Sequence, residues 1–167
     1  MTHDRERSNE QYLPSDLSIF PATPDNASLC AELFRQNRES LHAKEIPITE
    51  WRKMLSANDP DEEHYLIYKY DLPVAYMKLN GLSGENVWIS MLFVSADHQR
   101  HGIGSFAVRR AEERAAKCGF ESLRIQTTSD NTPARNLYKK LGYEETYDKG
   151  SGRYSYYKSL EQTQPSS

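Results

Sequence analysis

Cysteine is scarce in this chain, with two among 167 residues, Cys30 and Cys118. They stand far apart in helix-like segments and at no metal-ligand spacing. Neither a disulfide framework nor a metal site is expected, and both read as free, half-buried thiols in a reducing compartment. Long apolar runs are also missing. None approaches the ~18 residues of a membrane span, and the opening MTHDRERSNEQ has no hydrophobic centre, so neither a membrane partner nor a signal peptide is expected. Nor is there an excess of positive charge: 21 Lys and Arg against 24 Asp and Glu give a formal net charge of −3. A nucleic-acid partner would need a concentrated basic face. The doublets Arg109-Arg110 and Lys139-Lys140 fall in helix-like stretches and read as solvated faces. These absences leave a cytoplasmic globular chain, monomer or homodimer, with one domain over 16–160. Residues 1–15 and 161–167 are polar and aperiodic, and are expected to be flexible tails.

What is present is a regular alternation of elements. LSIF (17–20) reads as a short strand. After the turn ATPDN, Asp25 is placed to cap a helix carrying Leu29, Leu33, Phe34 and Leu41 on one stripe. A second helix near 48–55 presents Ile48, Trp51 and Leu55. ANDPDEE reads as a loop. HYLIYKY (64–70) and VAYMKLN (74–80) read as a hairpin joined by DLP. VWISMLFV (87–94) is nearly all apolar, as expected of a central strand buried on both faces. Residues 103–118 keep helical spacing, and Gly119 sits where helices stop in the left-handed conformation. LRIQTT (123–128) alternates as a strand. TSDNTP holds a cap with Pro133 in the first turn of a helix bearing Ala134, Leu137, Tyr138 and Leu141, closed by Gly142. RYSYYKSL (153–160) is the last strand. The order β-α-α-β-β-β-α-β-α-β mixes helices and strands in one domain. One βαβ crossover runs through a glycine loop and requires strands 87–94 and 123–128 to be parallel.

That loop is HQRHGIG, 98–104. Gly102-Ile103-Gly104-Ser105-Phe106-Ala107 fits the dinucleotide pattern G-x-G-x-x-A, but SADHQRH separates it from the strand, and a Rossmann domain needs more βα units. A nicotinamide oxidoreductase is therefore disfavoured. A P-loop fails for want of a following Gly-Lys-Ser/Thr. A plain turn and a pyrophosphate cradle remain. The second has a physical basis, because the first turn of a helix leaves N–H groups unpaired and favours an anion. Glycines at 102 and 104 would let the backbone approach phosphate oxygens.

LFVSADHQRHGIGSFAV resembles the acetyl-CoA-binding motif of the GNAT superfamily N-acetyltransferases, Q/R-x-x-G-x-G/A after an apolar strand, here Gln99-Arg100-His101-Gly102-Ile103-Gly104. A second signature follows: Asn131, Ala134, Tyr138 and Gly142-Tyr143 resemble N-x-x-A-x-x-x-Y-x-x-x-G-[FY]. The resemblance is firm over 63–145 and weaker over 17–62. It implies an α/β (α+β mixed) GNAT-type fold: a central, mostly antiparallel sheet with one splayed parallel strand pair, flanked by helices. It also implies acetyl-CoA as co-substrate, with no metal. Gln99, Arg100, His101, Gly102, Ile103, Gly104 and Ser105 would hold the pyrophosphate, mainly through backbone N–H groups. Arg100 and His101 would add charge or remain solvated. A bulge would part strand 87–94 from 123–128, so that the main chain of Leu92 and Val94 pairs with the thioester oxygen and pantetheine arm. Leu92 would then be an oxyanion donor. Asn131 would be a helix cap and a CoA contact. Tyr138 would protonate the departing thiolate, a role suited to a phenol of pKa about 10.

The general base departs from the common pattern. Trp88 stands where many relatives carry glutamate. The nearest acid is Glu85, in the turn, and a water held by Ser90 or a backbone carbonyl is the alternative. His98 reads as a surface residue. Trp51, His42, Glu45 and Tyr76 are candidates to line the acceptor pocket. The acidic loop Asp59-Asp61-Glu62-Glu63 reads as a solvated turn rather than a lure for cations. The expected activity is direct acetyl transfer to the primary amine of a small molecule or peptide, since neither cysteine lies where a covalent nucleophile should be. A CoA-binding sensor without catalysis is the alternative.

Overall fold

A computed structural model describes residues 11–39, 43–128 and 131–160. Among these residues seven strands form one sheet in the order β1-β2-β3-β4-β5-β7-β6. They are β1 (Leu17–Pro21), β2 (Glu62–Lys69), β3 (Leu72–Asn80), β4 (Val87–Val94), β5 (Ser122–Thr128), β6 (Glu144–Asp148) and β7 (Arg153–Ser159). The helices are α1 (Ala27–Asn37), α2 (Ile48–Ser56), α3 (Ile103–Lys117) and α4 (Thr132–Lys140). Every strand pair is antiparallel except β4/β5, the pair joined through α3. The mixed α/β architecture and the parallel pair agree with the sequence reading. Strand β6 was not anticipated. Its sequence EETYD lacks apolar alternation because it is an edge strand, exposed along most of its length, where acidic residues discourage further pairing.

The sheet has a core on each face. Against α3 and α4 lie Val87, Ile89, Leu123, Ile125, Ile103, Phe106 and Ala107. Against α1 and α2, Phe34, Trp51, Tyr76 and Phe93 pack ring to ring, mostly edge-on, with centroids 5.0–6.4 Å apart. Each such pair contributes about 0.5–1.5 kcal/mol beyond its buried area.

Strand β4 joins the two cores through a bulge. Ile89 faces Leu79 and Met91 faces Lys78, so Ser90 is an extra residue with no counterpart on β3. Before Ser90 the odd residues Val87 and Ile89 enter the α3 core. After it the even residues Leu92 and Val94 do, while Phe93 turns to the α1/α2 core. The one-residue slip exchanges the faces, as period-two geometry requires. The strand is accordingly not buried throughout, for Ser90 is exposed.

Several local expectations are corrected. Asp25 caps nothing. Thr23 begins a short turn in which its own N–H donates to Asn26 Oδ1 (2.8 Å), and Asn26 occupies the cap position of α1. The buried stripe of α1 is Ala27, Cys30, Ala31, Leu33, Phe34 and Asn37; Leu29 is exposed, and Leu41 lies outside the described residues. Ile48 is likewise exposed. Cys30 is fully buried and Cys118 exposed, so neither thiol is half-buried. From Gln11 onward the N-terminal segment is fastened to the domain rather than loose. The C-terminal stretch 161–167 lies outside the described residues. Gly119 and Gly142 adopt the expected left-handed φ of +90° and +93°. No helix among the described residues is long and apolar enough to cross a membrane.

Candidate active site

The ladder between β4 and β5 covers only Val87–Ile89 against Leu123–Ile125. Beyond Ile89 the strands have parted, because the bulge bends β4 away. Ser95 N–H donates to Val74 C=O (2.7 Å), which makes Val94 and Ala75 a non-hydrogen-bonded pair. The N–H and C=O of Val94 therefore point away from β3 into the opening, and alternation gives Leu92 the same orientation. The carbonyl of Val94 accepts from Asn37 Nδ2 (2.9 Å) and Gln99 Nε2 (3.2 Å).

Two cavities occupy the opening. The larger, about 510 Å³, runs from Leu92 and Val94 past the loop before α3, and is lined by Gln99, Arg100 and residues 102–105. The smaller, about 270 Å³, lies toward α1 and β7. Leu92, Phe93, Asn131 and Tyr138 line both, so the two cavities adjoin at these residues.

At the phosphate-like end, Arg100 (φ +68°) and Gly102 (φ +86°) both take left-handed backbone, which reverses the chain into α3. Helical bonding begins with Phe106 N–H to Gly102 C=O (3.0 Å). Among the described residues no side chain caps the helix, and the N–H groups of Ile103, Gly104 and Ser105 have no acceptor within it. Gly102 is required by its φ, and a Cβ there would lie 2.5 Å from Gln11 Oε1. Gly104 lines the larger cavity and has a packing role as well. A Cβ on Gly104 would meet Leu137 Cδ2 at 2.8 Å, so this glycine lets α4 close on α3. His101 is also corrected. It is buried, stacked flat on Tyr12 (centroids 4.3 Å apart), and absent from the cavity lining. Tyr12 N–H donates to His101 C=O (2.7 Å), Gln11 Nε2 donates to Arg100 C=O (3.0 Å), and Lys69 Nζ lies 3.8 Å above the Tyr12 ring. The segment expected to fray is thus a strap across the loop.

Tyr138 is the buried residue of α4, while Leu137 and Leu141 are only partly buried. Its ring lies edge-on to Tyr156 (5.1 Å) and Tyr143 (6.4 Å), and burial pushes the phenol up to about 12. Among the described residues its hydroxyl takes no hydrogen bond. Asn131 Oδ1 accepts from Ala134 N–H (3.3 Å), the expected cap.

Of the remaining residues weighed from the sequence, His98 and Ser90 reach the cleft and the others described do not. Glu85 is exposed in the turn before β4, at the strand end away from the opening, and lines neither cavity. Trp51 and Tyr76 are fully buried core; Tyr76 Oη bonds His64 Nδ1 (2.7 Å). Glu45 is exposed and pairs with Arg35 (3.3 Å) and Arg38 (3.8 Å). His42 lies outside the described residues. The acidic loop is not merely solvated. Asp61 accepts from Gly81 N–H and Ser83, Glu62 pairs with Lys78 (3.1 Å), and Glu63 with Arg114 (2.7 Å). His98, expected at the surface, is half-buried and lines the larger cavity. Burial lowers its pKa, which keeps the imidazole neutral near pH 7. Ser90 lines the smaller cavity and donates to Asn80 Oδ1 (2.5 Å).

Sequence reasoning missed Asn37, Gln11 and Arg153. For Asn37 a signal existed: an amide on the buried stripe of an amphipathic helix needs a partner, and here the partner is Val94.

A mixed sheet parted at its one parallel pair, with an uncapped helix start facing the parting, is the architecture of the GNAT fold. A family model described as Acetyltransferase (GNAT) family matches residues 26–143, and the chain belongs to that family. Over 70 residues it is 29% identical to a thialysine N-epsilon-acetyltransferase from Bos taurus. That stretch is 42% of this chain and spans only 41% of the bovine protein. An acetyltransferase from Thermus thermophilus superposes with a TM-score of 0.74 at 23% identity, over 86% of this chain and 97% of its own. The PaiA N-acetyltransferase from Thermoplasma acidophilum, solved in complex with coenzyme A, gives a TM-score of 0.72 at 15% identity, over 86% and 99%.

Proposed function

We propose that the protein transfers the acetyl group of acetyl-CoA to a primary amine of a small molecule or peptide, by direct attack within a ternary complex. The observation that carries this reading is the pair of cavities beside the parted strands: Leu92, Phe93, Asn131 and Tyr138 border both the larger and the smaller. The residues present fit the co-substrate. Unpaired N–H groups at the start of α3 suit a pyrophosphate, and the main chain of Val94 suits an amide-bearing arm.

In this reading residues 99–105 hold the phosphates, Gln99 chiefly by bracing the loop to Val94 and Asn37. The N–H of Leu92 stabilises negative charge on the thioester oxygen. The amine forms the new C–N bond as the C–S bond breaks, and Tyr138 protonates the sulfur. The amine proton leaves through water, with Ser90 or a main-chain carbonyl holding it, since the described residues lining the smaller cavity include no carboxylate. Cys30, buried and pushed up to about 12, is no nucleophile, and neither cysteine lines the cleft. The missing carboxylate also favours a second reading, a CoA-binding sensor. Calorimetry with acetyl-CoA, followed by thiol release across an amine panel, separates the two. Binding without turnover on any amine supports the sensor, and absence of binding overturns both.

A further inference from the structure

The acceptor end of the cleft carries a cation. Arg153 opens β7 opposite Thr128, at the end of β5 that β4 has left, and lines the smaller cavity. Two other arginines beside the sheet are held by carboxylates: Arg114 grips Glu63 with two hydrogen bonds (2.9 and 2.7 Å), and Arg135 holds Glu145 (3.4 Å). Arg153 has no such partner among the described residues. Its cross-strand neighbour is Asp148, whose carboxylate accepts from Gly150 N–H (2.9 Å) and Ser151 Oγ (2.9 Å) within the β6–β7 turn. Ser151 Oγ in turn accepts from Arg153 N–H (3.3 Å), fixing the backbone that presents the side chain. Gln126 and Thr127, also in the lining, are neutral and polar, and the opposite wall of Phe34 and Phe93 is apolar. A polycationic acceptor would meet a guanidinium here, and the acidic side chains of 61–63 are already engaged elsewhere.

Resting on the acetyltransferase reading above, we propose that the acceptor is a small primary amine that also bears a carboxylate, an amino acid or close relative, and that Arg153 binds that carboxylate. Size supports the assignment, for about 270 Å³ lies below the ~300–1,000 Å³ of sites for drug-sized ligands. An arginine fork matches a carboxylate with two parallel N–H···O bonds. The amine end then points toward Leu92 and Tyr138, where its nitrogen bonds to the acetyl carbon and the thiolate departs. Arg153 orients the substrate and does not touch the reacting atoms.

The test is a thiol-release assay on amino acids paired with their decarboxylated amines: phenylalanine with phenethylamine, lysine with cadaverine, serine with ethanolamine. In the wild type, kcat/KM for the carboxylate-bearing member of at least one pair exceeds that of its partner about tenfold, the scale of one charge-assisted contact. The preference lies in KM and shrinks as salt is added, since Arg153 is exposed. Arg153→Gln brings the ratio to about one, and Arg153→Glu inverts it. A wild-type preference for the decarboxylated amines, or a ratio unmoved by Arg153→Gln, overturns the proposal. Calorimetry with acetyl-CoA on each variant keeps the two readings apart. Binding and turnover that ignore the carboxylate defeat this inference alone, whereas a wild type that does not bind acetyl-CoA defeats its parent.

Discussion

The phosphate-like end of the cleft and the acceptor end differ in how the chain builds them. The first comes from one continuous run, 99–105, in which two left-handed residues turn the chain and a helix then begins. The second takes Phe34 from α1, Met91 and Phe93 from β4, Gln126 and Thr127 from β5, and Arg153 from β7. A site made of consecutive residues is set by local dihedrals and unpaired N–H groups. One made of four elements depends on the register of strands and the bend at Ser90. The comparison teaches that the loop end can persist while the other pocket changes, because the two rest on different physics. Tyr138, shared by both, joins them.

The sharpest break is at that junction. Tyr138→Phe preserves the ring packing and removes the proton, so kcat falls by about 10²–10⁴ on a competent amine while acetyl-CoA affinity changes little. Steady-state kinetics with parallel calorimetry checks this, and wild-type turnover in the variant would remove Tyr138 from the chemistry. The phenol lies at about 12 and stays protonated as pH rises through the neutral and mildly basic range. A kcat profile should show no loss from this group until pH approaches that value.

Gly104→Val tests the helix contact that the loop conceals. A Cβ at this position meets Leu137 Cδ2 at 2.8 Å, so overpacking should destabilise the fold by about 1–3 kcal/mol. Thermal or denaturant unfolding measures the loss, and Leu137→Ala in the same chain should recover part of it. Intact stability with abolished acetyl-CoA binding would instead place the side chain against the ligand.

Asn131→Ala removes the cap of α4 at the point where both cavities meet. A cost of about 0.5–2 kcal/mol in unfolding free energy is expected, with kcat falling alongside as Tyr138 loses its anchor. A variant with full stability but weakened acetyl-CoA binding would make the residue a contact only. The smallest effect is expected from Tyr12→Ala. It deletes a stacked ring worth about 0.5–1.5 kcal/mol and loosens the strap over His101. Acetyl-CoA affinity should weaken by less than about tenfold, with acceptor selectivity unmoved. A change in selectivity would mean that the two ends are coupled.

The sequence by itself determined the elements that depend on near neighbours. The left-handed stops at Gly119 and Gly142, the cap at Asn131 and the uncapped helix start after Gly102 follow from residue type and spacing within a few positions. The βαβ unit through α3 likewise forced β4 and β5 to be parallel. Tertiary structure alone decided that Gly104 serves Leu137, that Tyr12 covers His101, that Glu85 stands outside the cleft and that Arg153 enters it. It also made a strand of EETYD, whose hydrogen bonds come from β7 and leave no hydrophobic period to read. The division has a physical cause. Dihedral preferences and unpaired helix-end groups act over a few residues, whereas the packing and pairing partners that finish the site lie tens of residues away, and the sequence records no distance between them until the sheet forms.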